Sequence, residues 1–216
     1  MSAKMLSAFC GALSVLAGCG TAVTDALTQD ELTRTGFVEV PEINKNGLIN
    51  IGLENDIVTR AYRASPGNFG GYAFQTGGID GEGLFAVAGL FPGTSVTRPP
   101  SGTASYFGEY NLIAIDNIAI RNGEINGDRT LHTGDLVLLA DFDNNAIFSA
   151  PGSDLAVNGA IDVTGINGTV RFNGVTGSLD GLVGGNQAIG AFHGEGNVGP
   201  GTADDYMYSG GFIADR

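Results

Sequence analysis

Tryptophan is absent from the 216 residues, and cysteine occurs only twice, at Cys10 and Cys19. Nothing beyond residue 19 can form a disulfide, so whatever folds there is held by its core and its backbone ladders. Lysine is scarce too, with Lys4 and Lys45 alone, and 23 acidic residues stand against 10 basic ones, a formal net charge of −13. A surface of that sign repels nucleic acid and anionic headgroups, and no basic run offsets it, so nucleic acid is excluded as a partner. Signatures of catalysis are missing as well. The chain has no Gly-x-Ser-x-Gly, no spacing that links a serine to a histidine, and no glycine-rich loop carrying the lysine of a P-loop. These absences point away from an enzyme and call for no cofactor.

Long hydrophobic runs are also few, and the one that stands out is at the start. Lys4 precedes the apolar stretch from Met5 to Ala17, which ends in Leu16-Ala17-Gly18-Cys19. The run is short for a membrane span and fits a secretory signal over residues 1–18. Its end resembles the lipobox of bacterial lipoproteins. That resemblance implies cleavage before Cys19, a diacylglycerol thioether on its sulfur and an acylated new N-terminus, with acyl chains of the palmitate kind. Two or more chains hold a protein stably at a membrane. Gly20, rather than Asp, follows the cysteine and leans toward the outer membrane. Lipidation at Cys19 and loss of Cys10 with the signal account for both cysteines, and loss of Lys4 makes the remainder one unit more negative.

Residues 19–40 read as a lipidated tether, mostly disordered, because Ala26, Leu27 and Leu32 are too sparse for a convincing helix. Beyond it glycine is abundant, 36 in the chain, and Asn-Gly recurs at 46–47, 122–123, 126–127, 158–159, 167–168 and 173–174. Both residues accept the positive φ of two-residue hairpin turns, and the runs between them are β-branched, aromatic and alternating. The fold class is therefore all-β. Residues 41–100 form a small β subdomain, with strand candidates at 49–53, 71–74 and 84–87. After Pro99-Pro100, residues 101–216 form an antiparallel barrel of about eight strands: 103–110, 112–121, 136–143, 146–149, 155–163, 169–173, 178–183 taken with 188–193, and 206–214. Closure removes the exposed edges of an open sheet, and inward glycines such as Gly108, Gly190 and Gly194 ease the curvature and let aromatics cover bare backbone. In the last strand Tyr206, Tyr208 and Phe212 share one face and Met207 and Ile213 the other. A strand apolar on both faces is buried twice, or faces a handle or a partner.

Three segments resemble a known family. Gly102-Thr103-Ala104-Ser105-Tyr106-Phe107-Gly108 looks like the opening barrel strand of the transferrin-binding protein B-like lipoproteins. Leu138 to Ile147, with Asp141-Phe142-Asp143-Asn144-Asn145, looks like their central hairpin. Gly190-Ala191-Phe192-His193-Gly194 and Gly210-Gly211-Phe212 look like their closing strands. The resemblance covers roughly residues 101–216. It implies an eight-stranded barrel with an N-terminal β handle, lipid-anchored at the outer membrane through Cys19. Members bind host proteins such as transferrin, complement regulators or haem-carrying proteins. The stretch from Glu195 to Tyr208, with Asp204-Asp205, is longer than the link that usually joins the family's closing strands.

Few side chains invite chemistry. His193, in a strand, is a candidate ligand for haem or a small molecule at the barrel mouth, or an ordinary strand histidine. His132 reads as exposed in a turn over Arg129–Gly134, and two isolated histidines without cysteines make a poor zinc site. Asp141, Asp143, Asn144 and Asn145 lack the ligand series of a calcium loop and read as a hairpin turn. The segment Gly77–Gly83 matches a calcium nonapeptide once, where that architecture needs stacked copies. Without tryptophan, the Gly-x-Trp opening of lipocalins is missing too. Tyr106, Phe107, Tyr110, Tyr206 and Tyr208 gather in the first and last barrel strands, either as a cross-strand seam or as a recognition patch, with Tyr206 and Tyr208 as candidate contacts. The expected function is non-enzymatic binding of a protein or small ligand, at the cell surface or the periplasmic face. A haem or small-ligand carrier and a structural envelope lipoprotein are the alternatives.

Overall fold

A computed structural model describes residues 33–40, 57–63, 70–79, 83–92, 97, 99, 101–121, 124–198 and 204–216. Cys19, the signal segment and most of the expected tether lie outside these residues, as does the candidate strand at 49–53. Four strands come first: β1 (Thr33–Phe37), β2 (Ile57–Arg63), β3 (Gly70–Ile79) and β4 (Gly83–Pro92). They form a sheet in the order β1-β4-β3-β2, with β1 parallel to β4 and the other pairs antiparallel. Residues 33–37, expected to end a disordered tether, are thus a strand. Thr33 to Phe37 pair in register with Leu84 to Ala88, and tertiary pairing supplies the order that local sequence lacks.

Eight strands follow: β5 (Thr103–Arg121), β6 (Glu124–Asp141), β7 (Ala146–Ser149), β8 (Ala156–Asp162), β9 (Gly165–Phe172), β10 (Val175–Val183), β11 (Gln187–Gly196) and β12 (Tyr206–Asp215). Each pairs antiparallel with the next, and β12 pairs with β5, so the barrel is closed. The expected number is right, but two boundaries differ in opposite senses. Residues 103–121 are one strand rather than two, and 178–183 and 188–193 are two strands rather than one. Arg129–Gly134, read as a turn, lies inside β6. Its first half is exposed on both faces, so the alternation that marks a strand is missing there.

The Asn-Gly pairs divide in an informative way. Asn173 and Gly174 have φ of 48° and 87° and make the β9–β10 hairpin turn. The pairs at 126–127, 158–159 and 167–168 sit within strands instead. There the glycine serves close approach: Gly168 stands opposite Gly159, and a Cβ on Gly168 would lie 2.2 Å from the Asn158 carbonyl oxygen. The β5–β6 hairpin carries a bulge between Asp116 and Ala119, with Asn117 at φ 52°. Asn117 donates its amide to Asp116 Oδ1 (3.3 Å) and Asp128 Oδ2 (3.0 Å), bridging two carboxylates that face each other across the strands.

Alternation fills the barrel from every strand. Tyr106, Leu112, Leu138, Ile147, Ile166, Phe192 and Tyr208 are among the inward side chains with no more than 0 % exposure. Each such burial contributes about 1.5–3 kcal/mol. The small sheet lies across the outside of β11, β12 and part of β5. Tyr72, Phe74 and Ala88 meet Ile113, Ile189 and Ala191, and Leu84 and Ala86 meet Ile115, Ile118 and Met207. This explains β12, apolar on both faces: one side fills the barrel and the other carries the sheet. Tyr72 rests on bare backbone, since a Cβ on Gly211 would come 2.2 Å from its ring. A buried polar contact pins the junction, where the Thr76 and Ser209 hydroxyls meet and Ser209 Oγ donates to the Gln75 carbonyl at 3.0 Å.

Candidate binding surface

The barrel interior is packed with aromatic side chains seated on glycines. Cβ atoms on Gly190 and Gly194 would fall 2.4 and 2.5 Å from the rings of Phe212 and Tyr208. Tyr208 meets Phe172 (6.1 Å between centroids), Phe192 (6.1 Å) and Tyr206 (6.0 Å). Its hydroxyl donates to the Val175 carbonyl at 3.2 Å, and that of Tyr106 donates to the Gly184 carbonyl. Burial pushes the Tyr206 phenol up to about 12 and that of Tyr208 higher still, so both stay neutral. Tyr206 and Tyr208, candidate contacts by sequence, are therefore core residues: fully buried and directed inward. Of the aromatic group in the first and last strands, only Phe107 faces outward, 60 % exposed.

His193 does not reach the interior. Its neighbours Phe192 and Gly194 point in, and His193 points out, toward β1. Phe37 meets its ring edge-on, with centroids 4.6 Å apart and planes at 77°. Its Nδ1 is shielded from solvent without a hydrogen-bond partner, and burial lowers its pKa, favouring the neutral ring. Glu195 on the same strand accepts from the Thr35 hydroxyl of β1 at 3.5 Å. His193 thus belongs to the seam between the sheet and the barrel. His132 is half-buried in β6, its ring 5.1 Å from that of Phe172.

The Asp-Asn-Asn segment is a self-satisfied turn. Asp141 Oδ1 accepts from the backbone amides of Asp143 (3.1 Å) and Asn144 (3.0 Å), and its Oδ2 from the Asn144 side chain (2.7 Å). These bonds hold its pKa below the ordinary carboxylate value. No group of three or more metal-binding side chains occurs among the described residues.

Among the described residues, the outside of the barrel carries an apolar strip. Along β5, β6 and β7, Phe107 stands opposite Val137, and Leu139 opposite Phe148. Phe148 is 41 % exposed, and Val137 and Leu139 are half-buried. Leu136, Leu138 and Ala140 form the inward, buried face of this segment. The signal of the outward face was present in the sequence, because residues 136–140 are apolar on both faces.

No protein-family model and no curated protein sequence matches the chain. Solved structures do. In fold the chain is similar to transferrin binding protein B. With a double mutant of that protein from Haemophilus parasuis it shares 12% identity at a TM-score of 0.47, over 81% of this chain and 41% of the other. This chain therefore spans about two fifths of that protein's length. A point mutant of transferrin binding protein B from Actinobacillus pleuropneumoniae aligns at 13% identity and a TM-score of 0.48, over 82% of this chain and 88% of that one. HpuA from Kingella denitrificans, solved in complex with human haemoglobin, aligns at 14% identity and a TM-score of 0.36, over 67% and 54% of the two chains.

Proposed function

We propose that the chain is a non-enzymatic binding lipoprotein of the bacterial envelope, anchored in the outer membrane through Cys19 and recognising its partner with the outside of its barrel. The observation that carries this reading is the packed barrel interior. Tyr106, Tyr206, Tyr208, Phe192 and Phe212 occupy the space in which a carrier would hold a small molecule. Recognition is left to outward-facing strands and loops on a rigid frame. The lipobox at Leu16–Cys19 supports the anchor, and the barrel with its preceding sheet is the architecture implied by the resemblance to transferrin-binding protein B-like lipoproteins. The haem-carrier alternative draws no support from His193, which points away from the interior.

Two measurements test the reading. Mass spectrometry of the mature chain is expected to give an N-terminus at Cys19 with three acyl chains, and Cys19→Ala is expected to leave the membrane fraction; a mature chain that begins at Met1 overturns the anchor. Cells producing the full chain, shaved with protease or left intact, are then incubated with labelled serum proteins, transferrin and haemoglobin among them. Saturable protein binding without any change in the spectrum of added free haemin is expected. A haemin absorbance band that His193→Ala abolishes would replace this reading with that of a carrier.

A further inference from the structure

The outside of the barrel has three kinds of wall. The first, over β11, β12 and part of β5, is covered by the small sheet. On the second, β8 to β10 turn Asn158, Asn167, Thr169, Arg171, Thr176 and Ser178 outward, the surface expected against water. The third is the apolar strip of Phe107, Val137, Leu139 and Phe148, whose two phenylalanines are exposed. A contiguous exposed apolar strip on one wall, with a polar wall beside it, marks an interaction site rather than scattered surface apolars.

The charges that β5, β6 and β7 carry along this strip are acidic, and on the neighbouring β12 Asp215 stands opposite Phe107 with Arg216 after it. Glu109 stands directly opposite Asp135, one step along the same face from the Phe107–Val137 pair, and both are exposed. Like charges directly opposite each other in a sheet oppose folding. Asp141, the last residue of β6, and Asp143, in the turn to β7, close the far end. No Lys, Arg or His occurs from residue 103 to 109 or from 135 to 149.

We propose that the wall of β5, β6 and β7 is a docking face for a protein surface that presents an apolar side chain ringed by arginine or lysine. The proposal rests on the binding reading above and assigns it a site and a partner chemistry. Other occupants meet the same charges with the wrong sign. A second copy docked symmetrically places Glu109 and Asp135 against their own equivalents. The segment 20–32 of this chain carries Asp25, Asp30 and Glu31 and no basic residue. Anionic headgroups are repelled as well. An apolar centre with a basic rim matches both the strip and its acids, and its cations relieve the Glu109–Asp135 repulsion on binding.

The test uses the mature full chain and two labelled short peptides, one alternating Leu with Arg and the other Leu with Glu, followed by fluorescence anisotropy. The Arg peptide is expected to bind and the Glu peptide not. The double variants Phe107→Ser/Phe148→Ser and Glu109→Gln/Asp135→Asn are each expected to weaken the Arg peptide by about tenfold or more, with unchanged circular dichroism. Asp162→Asn/Asp180→Asn, which removes as much charge from other strands, is expected to leave it unchanged. Equal affinity in all variants, or equal binding of the Glu peptide, overturns the proposal. So does a wild-type dimer in sedimentation that Phe107→Ser/Phe148→Ser dissolves, or vesicle binding that the same variant abolishes. A cell-surface partner held equally well by that variant leaves the binding reading standing and removes this face from it.

Discussion

A Cβ on Gly194 would stand 2.5 Å from the ring of Tyr208, which is fully buried and braced by Phe172, Phe192 and Tyr206. The ring has nowhere to retreat, so Gly194→Ala is expected to cost about 1–3 kcal/mol, read as a lower midpoint in denaturant at unchanged slope. The opposite sign is expected at Val163, a β-branched residue held at φ 53° between β8 and β9 and 73 % exposed. Asn accepts that conformation with less strain, so Val163→Asn is expected to stabilise by about 1 kcal/mol in the same assay. Individual glycines were partly legible from sequence: Gly190 and Gly194, expected beneath aromatics, lie there, whereas Gly108, expected in the same role, lies against the backbone of Ile213 and Ala214. The roles of Tyr206 and Tyr208 were not. A strand's alternation separates its two faces without saying which is inside.

Among the elements, β1 and β2 are not among the strand candidates of the sequence, and the hold of β1 on the barrel depends on pH. His193 packs edge-on against Phe37, and burial lowers its pKa below the ordinary 6.5. Facing it at the seam are Glu195, already accepting from Thr35, and the uncharged Ser178 and Ser209 on the flanking strands. A base with a depressed folded pKa favours the neutral, docked form. Stability is therefore full above about pH 6.5, where the free imidazole is neutral too, and is lost as pH falls below that value toward the folded pKa. Wild type is expected to lose more thermal midpoint between pH 8 and pH 5 than His193→Gln does; equal losses would remove His193 from the effect. The split and merged strands are instructive at this scale. Asn-Gly dipeptides signal turns through their tolerance of positive φ, yet three of those described serve strand–strand approach, a use that appears only once the partner strand is in place.

For the molecule as a whole, the decisive feature is that the small sheet and the barrel share one interface, with the Thr76–Ser209 hydroxyl pair buried in it. Ser209→Ala leaves the Thr76 hydroxyl without its partner and is expected to cost about 1–3 kcal/mol. Sheet and barrel are expected to unfold together in wild type by hydrogen exchange, and a sheet that exchanges at its own lower free energy would show that the interface does not couple them. Alternation, turn chemistry and glycine content determined by themselves that the fold class is all-β, that about eight strands follow Pro99-Pro100, and that no disulfide holds them. They act within a few residues, where backbone sterics and side-chain period operate. Which face of each strand turns inward, that β1 joins a sheet, that His193 lies at a seam, and that Phe107 and Phe148 are left bare were decided only by the tertiary structure. Each of those outcomes depends on which strands become neighbours, and closing β12 onto β5 and laying the small sheet across them bring together residues more than a hundred positions apart.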